Sequence, residues 1–192
     1  GFNVRGGSTD QNLILINSAP VFNPSHLFGF FSVFNPDIIK DFKLYKSGIP
    51  ARYGGRISSV FDVTTRIGNR KKFSASGGIS PVTGRVLFEG PIIKDKSSFI
   101  LSGRSTYSDW LLDRFKKPEI RNSDASFYDV FGKISHEIND YNQIELSNYH
   151  SNDYFKLNSD TTYKYQNRNA SLSWKHIFNT NLIGTFSGIY SS

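Results

Sequence analysis

The sequence contains no cysteine and no long apolar run. Without cysteine, disulfide frameworks, thiolate nucleophiles and cysteine-based metal sites are excluded, although the cellular compartment stays open. The longest apolar stretch, Leu27 to Phe34, is far shorter than the roughly 18–20 residues that a membrane-spanning helix needs. The chain is therefore neither a disulfide-stapled domain nor a helical membrane bundle.

Catalytic motifs are absent as well. The sequence has no Gly-x-Ser-x-Gly elbow, no His-Glu-x-x-His pair and no phosphate-binding glycine loop. Its histidines lack the spacing of metal ligands and are scattered over the chain, at His26, His136, His150 and His176. We therefore predict no enzymatic activity, no cofactor and no metal site.

The positive charge is not concentrated in one place. A net charge of +7 is spread over 192 residues, whereas nucleic-acid binding usually gathers Lys and Arg on one face. The run Arg70–Lys72 is short and predicts a solvated junction. Nucleic acid is therefore not an expected partner.

Aromatic residues are abundant. The chain has 17 Phe, 10 Tyr and 2 Trp, which is 15% of its residues, yet its mean hydropathy is −0.38. Many rings in a polar chain suit strands with one apolar and one wet face, including the strands of a membrane barrel.

Residues 1–66 are dense in Gly and Pro and change direction every few residues. Leu13–Ile16 is a short apolar run typical of a buried strand, and Asn17–Ser18 predicts a turn after it. Asn35–Asp37 predicts a helix start with Pro36 at its first position. Extended segments follow at 41–46 and 57–65, so we expect a small α+β unit with a mixed sheet.

From about residue 72 the sequence alternates strictly between apolar and polar positions. Period two places the two sets on opposite faces of a sheet. Between residues 128 and 138, one face holds Tyr128, Val130, Gly132, Ile134 and Ile138, and the other holds Asp129, Lys133, Ser135 and Glu137. Residues 144–154 and 170–178 alternate in the same way. We expect about seven such strands, up and down.

The connections between these strands also follow an order. Short turns at 91–96, 139–142 and 179–181 alternate with longer polar connections at 108–126 and 156–162. Transmembrane barrels place short turns on the periplasmic side and longer loops outside. The first hairpin, near Pro81–Val82, is tighter than this rule predicts.

Rings gather at the ends of the predicted strands. A single ring at a strand end is better explained by the general preference of aromatic residues for strands or by packing in the core of a β-sandwich. Their recurrence together with the loop order favours aromatic girdles at two membrane interfaces. The pairs are Tyr107 and Trp110, Phe127 and Tyr128, Tyr154 and Phe155, Tyr163 and Tyr165, and Trp174 and Phe178.

Three ordered segments resemble the C-terminal part of a TonB-dependent receptor plug domain. They are Asn3–Gly7, Asp10–Asn17, and Pro50–Arg56 with Ile57–Val60 behind it. The family usually has Asp-Gly where this chain has Asn17–Ser18, so this turn is expected to be strained or of another type. The stretch Asn23–Phe31 resembles the Bacteroidetes-type branch of the family.

The resemblance implies a truncated architecture. We expect residues 1–68 to be the C-terminal part of the plug and residues 69–192 to be the first strands of an outer-membrane β-barrel. The chain begins with neither a signal peptide nor a natural start and stops within an alternating segment, so we expect a fragment of a longer chain. The rest of the plug and the N-terminal segment that the family presents to TonB are expected before residue 1.

The family's function is binding and import of a scarce nutrient, here a glycan, a peptide or an iron chelate. The expected partners are TonB, this nutrient, outer-membrane lipid in a Gram-negative cell and, as an optional one, a surface lipoprotein. By position in the family, the candidate ligand-binding residues at the plug apices are Asp10, Gln11, Phe22, Asn23, His26, Arg52 and Tyr53. Tyr53 has an equally strong structural interpretation, because its ring can buttress the Gly54–Gly55 bend.

Arg5 and Arg56 suggest a latch between plug and barrel. Charge-assisted hydrogen bonds to barrel carboxylates would hold the plug shut, and ordinary solvated charges in a wet lumen are the alternative. The candidate carboxylates are Asp129, Glu137 and Glu145. For the whole chain, the alternatives are a non-transporting β-sheet binding or adhesin module and, more remotely, a barrel hydrolase.

Overall fold

The computed structural model describes residues 11–55, 58–107, 114, 124–156 and 161–192. In this part of the chain, thirteen strands form sheets of four, seven and two strands. Two 3₁₀ helices, Leu27–Gly29 and Pro36–Ile38, lie wholly within the described ranges. Neither is long and apolar enough to cross a membrane. The predicted mainly β class is confirmed.

The four-stranded sheet belongs to the N-terminal unit, which we define as residues 11–65. Its order is β2-β1-β6-β5; β1 and β6 run parallel, and the other pairs are antiparallel, so the sheet is mixed as predicted. A two-stranded hairpin of β3 and β4 lies beside it. The strands are β1 Asn12–Ile16, β2 Ala19–Pro20, β3 Ser25–His26, β4 Phe31–Ser32, β5 Ile39–Tyr45 and β6 Ser59–Thr65.

Two local predictions meet different outcomes in this unit. Asn17 and Ser18 form the expected turn with positive φ angles of 48° and 69°, and serine adopts this left-handed conformation only at a cost. Asn35 caps the expected helix, because its side chain accepts a hydrogen bond from the Asp37 amide. The helix is a single 3₁₀ turn, however, because Ile39 is already extended and starts β5.

The seven-stranded sheet, which we call the wall, runs in sequence order from β13 back to β7, and every neighbouring pair is antiparallel. This is the predicted up-and-down meander. The turns that join β8 to β9, β10 to β11 and β12 to β13 lie at one end, the short-turn end. The other is the long-connection end. The strands are β7 Ser74–Ile79, β8 Thr83–Ile93, β9 Ser97–Thr106, β10 Asp124–Asn139, β11 Asn142–Lys156, β12 Thr162–Asn179 and β13 Leu182–Ser191.

The wall has an apolar outer face and a mostly polar inner face with an apolar patch at its centre. Ile134, Leu146 and Leu172 are 47%, 49% and 52% exposed on the outside, whereas Lys133 and Ser147 are buried on the inside. This division matches the faces predicted from period two. Exposed rings lie near the short-turn end at Tyr141 and Phe178 and near the long-connection end at Tyr107, Tyr128, Tyr163 and Tyr165. Trp110 falls outside the described residues.

The main apolar core lies between the two sheets. The N-terminal unit contributes side chains such as Ile14 and Val33, and the inner face of the wall contributes Leu87, Phe131 and Tyr149. Burial of apolar side chains therefore seats the unit on the wall. Polar groups surround this core and form hydrogen bonds and ion pairs between the N-terminal unit and the wall.

Candidate functional site

The contact between the N-terminal unit and the inner face of the wall, which we call the interface, holds most of the charged side-chain pairs. They occur at three levels: near the short-turn end, at mid-height, and near the long-connection end. Residues 66–73, the connecting segment, join the two parts and supply some of these groups. The interface is the candidate functional site.

Near the short-turn end, Arg66 binds Glu89 of β8 with both terminal nitrogens. Nη1 donates to Oε2 at 2.6 Å and Nη2 donates to Oε1 at 3.3 Å. Arg66 Nε also donates to the Asp37 carbonyl at 2.8 Å. Glu89 accepts two further hydrogen bonds, from the Asn69 amide and the Ser74 hydroxyl. The connecting segment is thereby tied to both the wall and the N-terminal unit.

Arg70 forms a second ion pair at this level, with Glu137 of β10. The prediction of a solvated junction at Arg70–Lys72 is therefore wrong for Arg70, although Lys71 and Lys72 are exposed. No local pattern indicates this contact, because Glu137 lies 67 positions away from Arg70.

At mid-height, Lys133 is 4% exposed. Its ammonium group lies 2.7 Å from Glu145 Oε2 and donates to the carbonyl and hydroxyl of Thr65 at 3.3 Å each. The side chain of Asn17 reaches the same place. Its Oδ1 accepts hydrogen bonds from the Thr65 amide and hydroxyl, and its Nδ2 donates to the Ser147 hydroxyl. The end of β6 is therefore held by the wall and by the turn after β1.

Near the long-connection end, His26 is fully buried between two carboxylates of the wall. Its Nδ1 lies 2.8 Å from Asp153 Oδ2, and its Nε2 lies 3.3 Å from Asp129 Oδ2, an ion-pair contact with poor hydrogen-bond geometry. The ring stacks on Phe127 at 4.1 Å. Arg104 donates to the same Asp129 oxygen through Nε and Nη2, at 2.8 and 2.6 Å.

Two opposing effects act on the His26 imidazole. Burial lowers its pKa, because a charged ring loses its hydration. The contacts with Asp129 and Asp153 and the negative charges of both carboxylates raise this pKa by more than burial lowers it. The pKa of His26 therefore lies above its ordinary value. Among the described residues, no group of His, Asp and Glu has the arrangement of a metal site.

Neutral hydrogen bonds complete the interface. Asn35 donates to the Ser102 hydroxyl at 2.7 Å. Asn23 and Asn167 bond reciprocally: the Asn23 amide donates to Oδ1 at 3.2 Å, and Nδ2 donates back to the Asn23 carbonyl at 3.1 Å. Tyr149 donates to the carbonyl of Val33 at 3.3 Å. Such bonds satisfy groups that burial would otherwise leave unpaired.

Arg52 and Tyr53 bond within the N-terminal unit. The Tyr53 hydroxyl donates to Asp62 at 2.7 Å and accepts from Arg52 at 2.7 Å. Burial and the Asp62 carboxylate raise the pKa of Tyr53 to about 12, so its hydroxyl stays protonated at neutral pH. These bonds give Tyr53 a structural role in tying the bend at 53–55 to β6.

The candidate ligand-binding residues divide by their surroundings. Phe22 is 63% exposed and Arg52 is also exposed, so both are open to solvent. Gln11 and Tyr53 are half-buried. Asn23 and His26 are instead engaged by the wall, and His26 presents no surface to a solute. Asp10 lies outside the described residues.

The candidate latch carboxylates all meet cations. Asp129 meets Arg104 and His26, Glu137 meets Arg70, and Glu145 meets Lys133. Arg5 and Arg56 lie outside the described residues, so their pairing stays a prediction. Sequence reasoning missed eight charged residues of the interface: Asp37, Arg66, Arg70, Arg85, Glu89, Arg104, Lys133 and Asp153.

Comparison with known proteins agrees with these features. Residues 1–60 match the TonB-dependent Receptor Plug Domain family. No curated protein matches the chain. The plug match covers the N-terminal unit up to the second residue of β6.

Solved structures share the fold of nearly the whole chain. The siderophore receptor PirA from Acinetobacter baumannii is 17% identical with a TM-score of 0.69, and the alignment covers 97% of this chain and 32% of that one. PirA from Pseudomonas aeruginosa is 18% identical with a TM-score of 0.65, over 98% and 34% of the two chains. A variant of the ferric enterobactin receptor PfeA from Pseudomonas aeruginosa is 14% identical with a TM-score of 0.59, over 97% and 38%. The chain thus spans about one third of the structures it matches. Residues 1–60 thus match a TonB-dependent receptor plug domain, and the arrangement of an N-terminal unit on an up-and-down wall is a fold that the chain shares with these solved receptors.

Proposed function

We propose that this chain is part of an energy-dependent importer in the Gram-negative outer membrane. In this role a scarce nutrient binds at the long-connection end, and TonB pulls the plug so that the nutrient passes into the periplasm. The observation that carries the proposal is the polarity of the wall. Its outer face is apolar, as lipid requires, and its inner face carries polar and charged side chains around the apolar core that the plug covers. The optional partners and the Bacteroidetes-type branch stay predictions.

The proposed domain boundary follows the sheets. The N-terminal sheet ends at Thr65 and the wall begins at Ser74, which supports a plug over residues 1–68 and a barrel section over residues 69–192. The connecting segment lies between them, and its arginines bind the wall.

The ion pairs of the interface are proposed to act as the latch of the plug. Their charged groups can be rehydrated when the plug moves, so separation under a pulling force leaves no dry, unpaired charge. Asp129 and Glu137 are the barrel carboxylates of this latch, and Glu145 acts through Lys133, which donates to Thr65 of the plug. The predicted part of Arg5 and Arg56 is tested by replacing both with Gln in the complete receptor. We expect a larger leak conductance in a planar bilayer, and an unchanged leak would remove them from the latch.

The exposed plug residues near the long-connection end are proposed to contact the nutrient. Phe22 precedes Asn23, whose amide donates a hydrogen bond to Asn167. Asn167 lies five residues after the start of β12, at the long-connection end. An exposed ring can stack on a sugar, a peptide or an aromatic chelate. The names of the solved relatives put an iron chelate first among these three classes. Asp10, Gln11, Arg52 and Tyr53 stay secondary candidates.

A matched pair of variants tests the nutrient contact. Phe22→Ala and Phe42→Ala remove rings of nearly equal exposure, 63% and 61%, and Phe42 lies on β5 of the plug sheet. Binding of ferric catecholates, ferric hydroxamates, oligosaccharides and peptides to the complete receptor is measured by calorimetry. We expect weaker binding of one class in Phe22→Ala only. Equal affinity in both variants would remove Phe22 from the site.

Energised transport is tested separately. Cells that carry the complete receptor are given the bound nutrient in labelled form, with and without an uncoupler of the proton gradient. We expect uptake to stop with the uncoupler while surface binding continues. Binding without any uncoupler-sensitive uptake would favour the alternative, a non-transporting binding module.

A further inference from the structure

The His26 cluster combines burial, charge and a strained backbone at one point of the interface. His26 belongs to the plug, whereas the charged groups around it belong to three barrel strands: Arg104 on β9, Asp129 on β10 and Asp153 on β11. Tyr149 of β11 also faces this cluster, and its hydroxyl donates to the Val33 carbonyl of the plug. The plug therefore brings one titratable group into a charged socket of the barrel.

The charge of this socket depends on His26. When the imidazole is protonated, two cations, His26 and Arg104, balance the carboxylates of Asp129 and Asp153. When it is neutral, the buried group keeps one uncompensated negative charge. An uncompensated charge in a dry environment is strongly unfavourable, so the neutral form weakens the seating of the plug.

The same cluster holds a strained turn. Leu27 has a φ of +49°, a left-handed conformation that costs a non-glycine residue about 1–2 kcal/mol. Its backbone amide donates to Asp153 Oδ1 at 3.1 Å, while His26 engages the other oxygen of this carboxylate at 2.8 Å. Asp153 thus grips the turn at two adjacent points, and a weaker grip lets the strain relax.

We propose that His26 is a proton-operated lock of the plug: the protonated imidazole fastens the turn at 26–29 to Asp129 and Asp153, and loss of the proton releases it. This inference rests on the proposed function, because a lock has a role only if the plug moves. The cluster lies near the long-connection end, five residues into β10 and three residues from the end of β11.

The direction of the pH effect follows from linkage. Docking raises the pKa of His26 above its ordinary value of 6.5, so the docked plug binds the proton more tightly than the undocked one. The stabilisation is fully present below the undocked pKa and is lost as the pH rises through the docked pKa. For each pKa unit by which the docked and undocked values differ, the docking equilibrium changes about tenfold across this window.

The experiment measures plug docking in the complete receptor without nutrient or TonB. The receptor is reconstituted in a planar bilayer, and the urea concentration that opens the channel is determined from about pH 5 to about pH 9, the range that brackets histidine titration. The variants are His26→Gln, Asp153→Asn and, as a control, His150→Gln, which removes a half-buried histidine from the outer face of the wall.

We expect the wild type and His150→Gln to open at lower urea as the pH rises. His26→Gln should lose this dependence, and Asp153→Asn should weaken it because one carboxylate no longer favours the imidazolium. The proposal is overturned if His26→Gln keeps the wild-type pH dependence, or if the wild type shows none. If the variants do not fold, NMR titration of the histidine side chains in the wild type decides, and a His26 pKa at or below 6.5 overturns the lock. Loss of uptake alone would count against the importer and leave these readings unchanged.

Discussion

The ion pair between Arg66 and Glu89 is expected to stabilise plug docking measurably. Glu89 accepts four hydrogen bonds, two of them from Arg66. The side chains are 31% and 13% exposed, so the pair lies between a surface pair and a buried one. A surface pair contributes about 0–1 kcal/mol, and a hydrogen bond to a charged group about 1.5–3 kcal/mol. After allowance for solvent screening of Arg66, we expect a coupling energy of about 1–2 kcal/mol, or roughly a tenfold change in docking.

A double-mutant cycle isolates this coupling. Arg66→Gln, Glu89→Gln and the double variant are made in the complete receptor, and the free energy of docking is taken from urea-induced channel opening at fixed pH. The control cycle uses Arg85 and Asp37, which also join β8 to the plug, at 3.2 Å. Their side chains are 44% and 29% exposed, so we expect a coupling below about 0.5–1 kcal/mol.

The comparison between the two cycles tests whether burial and geometry determine the coupling energy of an ion pair. A larger coupling for Arg66 and Glu89 would show that partial burial and bidentate geometry determine the strength of the latch. Equal couplings in both cycles would refute this, and the apolar core would then account for docking at this level. Additivity in the first cycle would have the same meaning.

Three further substitutions test the packing around the plug. Gly68→Ala should destabilise docking by about 1–3 kcal/mol, because its Cβ would lie 1.9 Å from the Phe99 carbonyl oxygen of β9, whereas a Cβ at Gly54 meets nothing within 4 Å and Gly54→Ala should be neutral; similar melting temperatures by calorimetry would contradict this placement. Ser18→Gly should stabilise the receptor by about 1 kcal/mol, because Ser18 has a φ of +69°, and an unchanged or lower melting temperature would count against the left-handed turn. Lys133→Met should lower the docking free energy by about 1–3 kcal/mol, because Thr65 of the plug loses both hydrogen bonds from the ammonium group, while the exposed Lys71→Met should have no effect in the same urea assay.

The pattern of the sequence predicted the barrel section well. Alternation from residue 128 to residue 138 assigned each side chain to a face, because successive residues of a strand point in opposite directions whatever their neighbours are. The positions of the short turns fixed the up-and-down order. In the plug, Asn17 and Ser18 predicted a turn for the same local reason.

The 3₁₀ turn at Pro36–Ile38 shows where local pattern was insufficient. Asn35 and Pro36 specified the start of a helix, and both occupy the expected positions. Its length was decided by β5, which begins at Ile39 and pairs with β6. A strand partner that is remote in sequence competes with helix propagation, and no local motif reveals it.

The charged pairs of the interface depended entirely on tertiary structure. The sequence placed Asp129, Glu137 and Glu145 on the inner face, because periodicity specifies the face of a strand. It did not specify which cations meet them, since Arg70 and Glu137 are 67 positions apart and His26 and Asp153 are 127 apart. The sequence by itself therefore determined strands, faces and the plug signature. Only the packing of the plug on the wall decided that His26 is buried, because burial depends on what covers a side chain and not on its own chemistry.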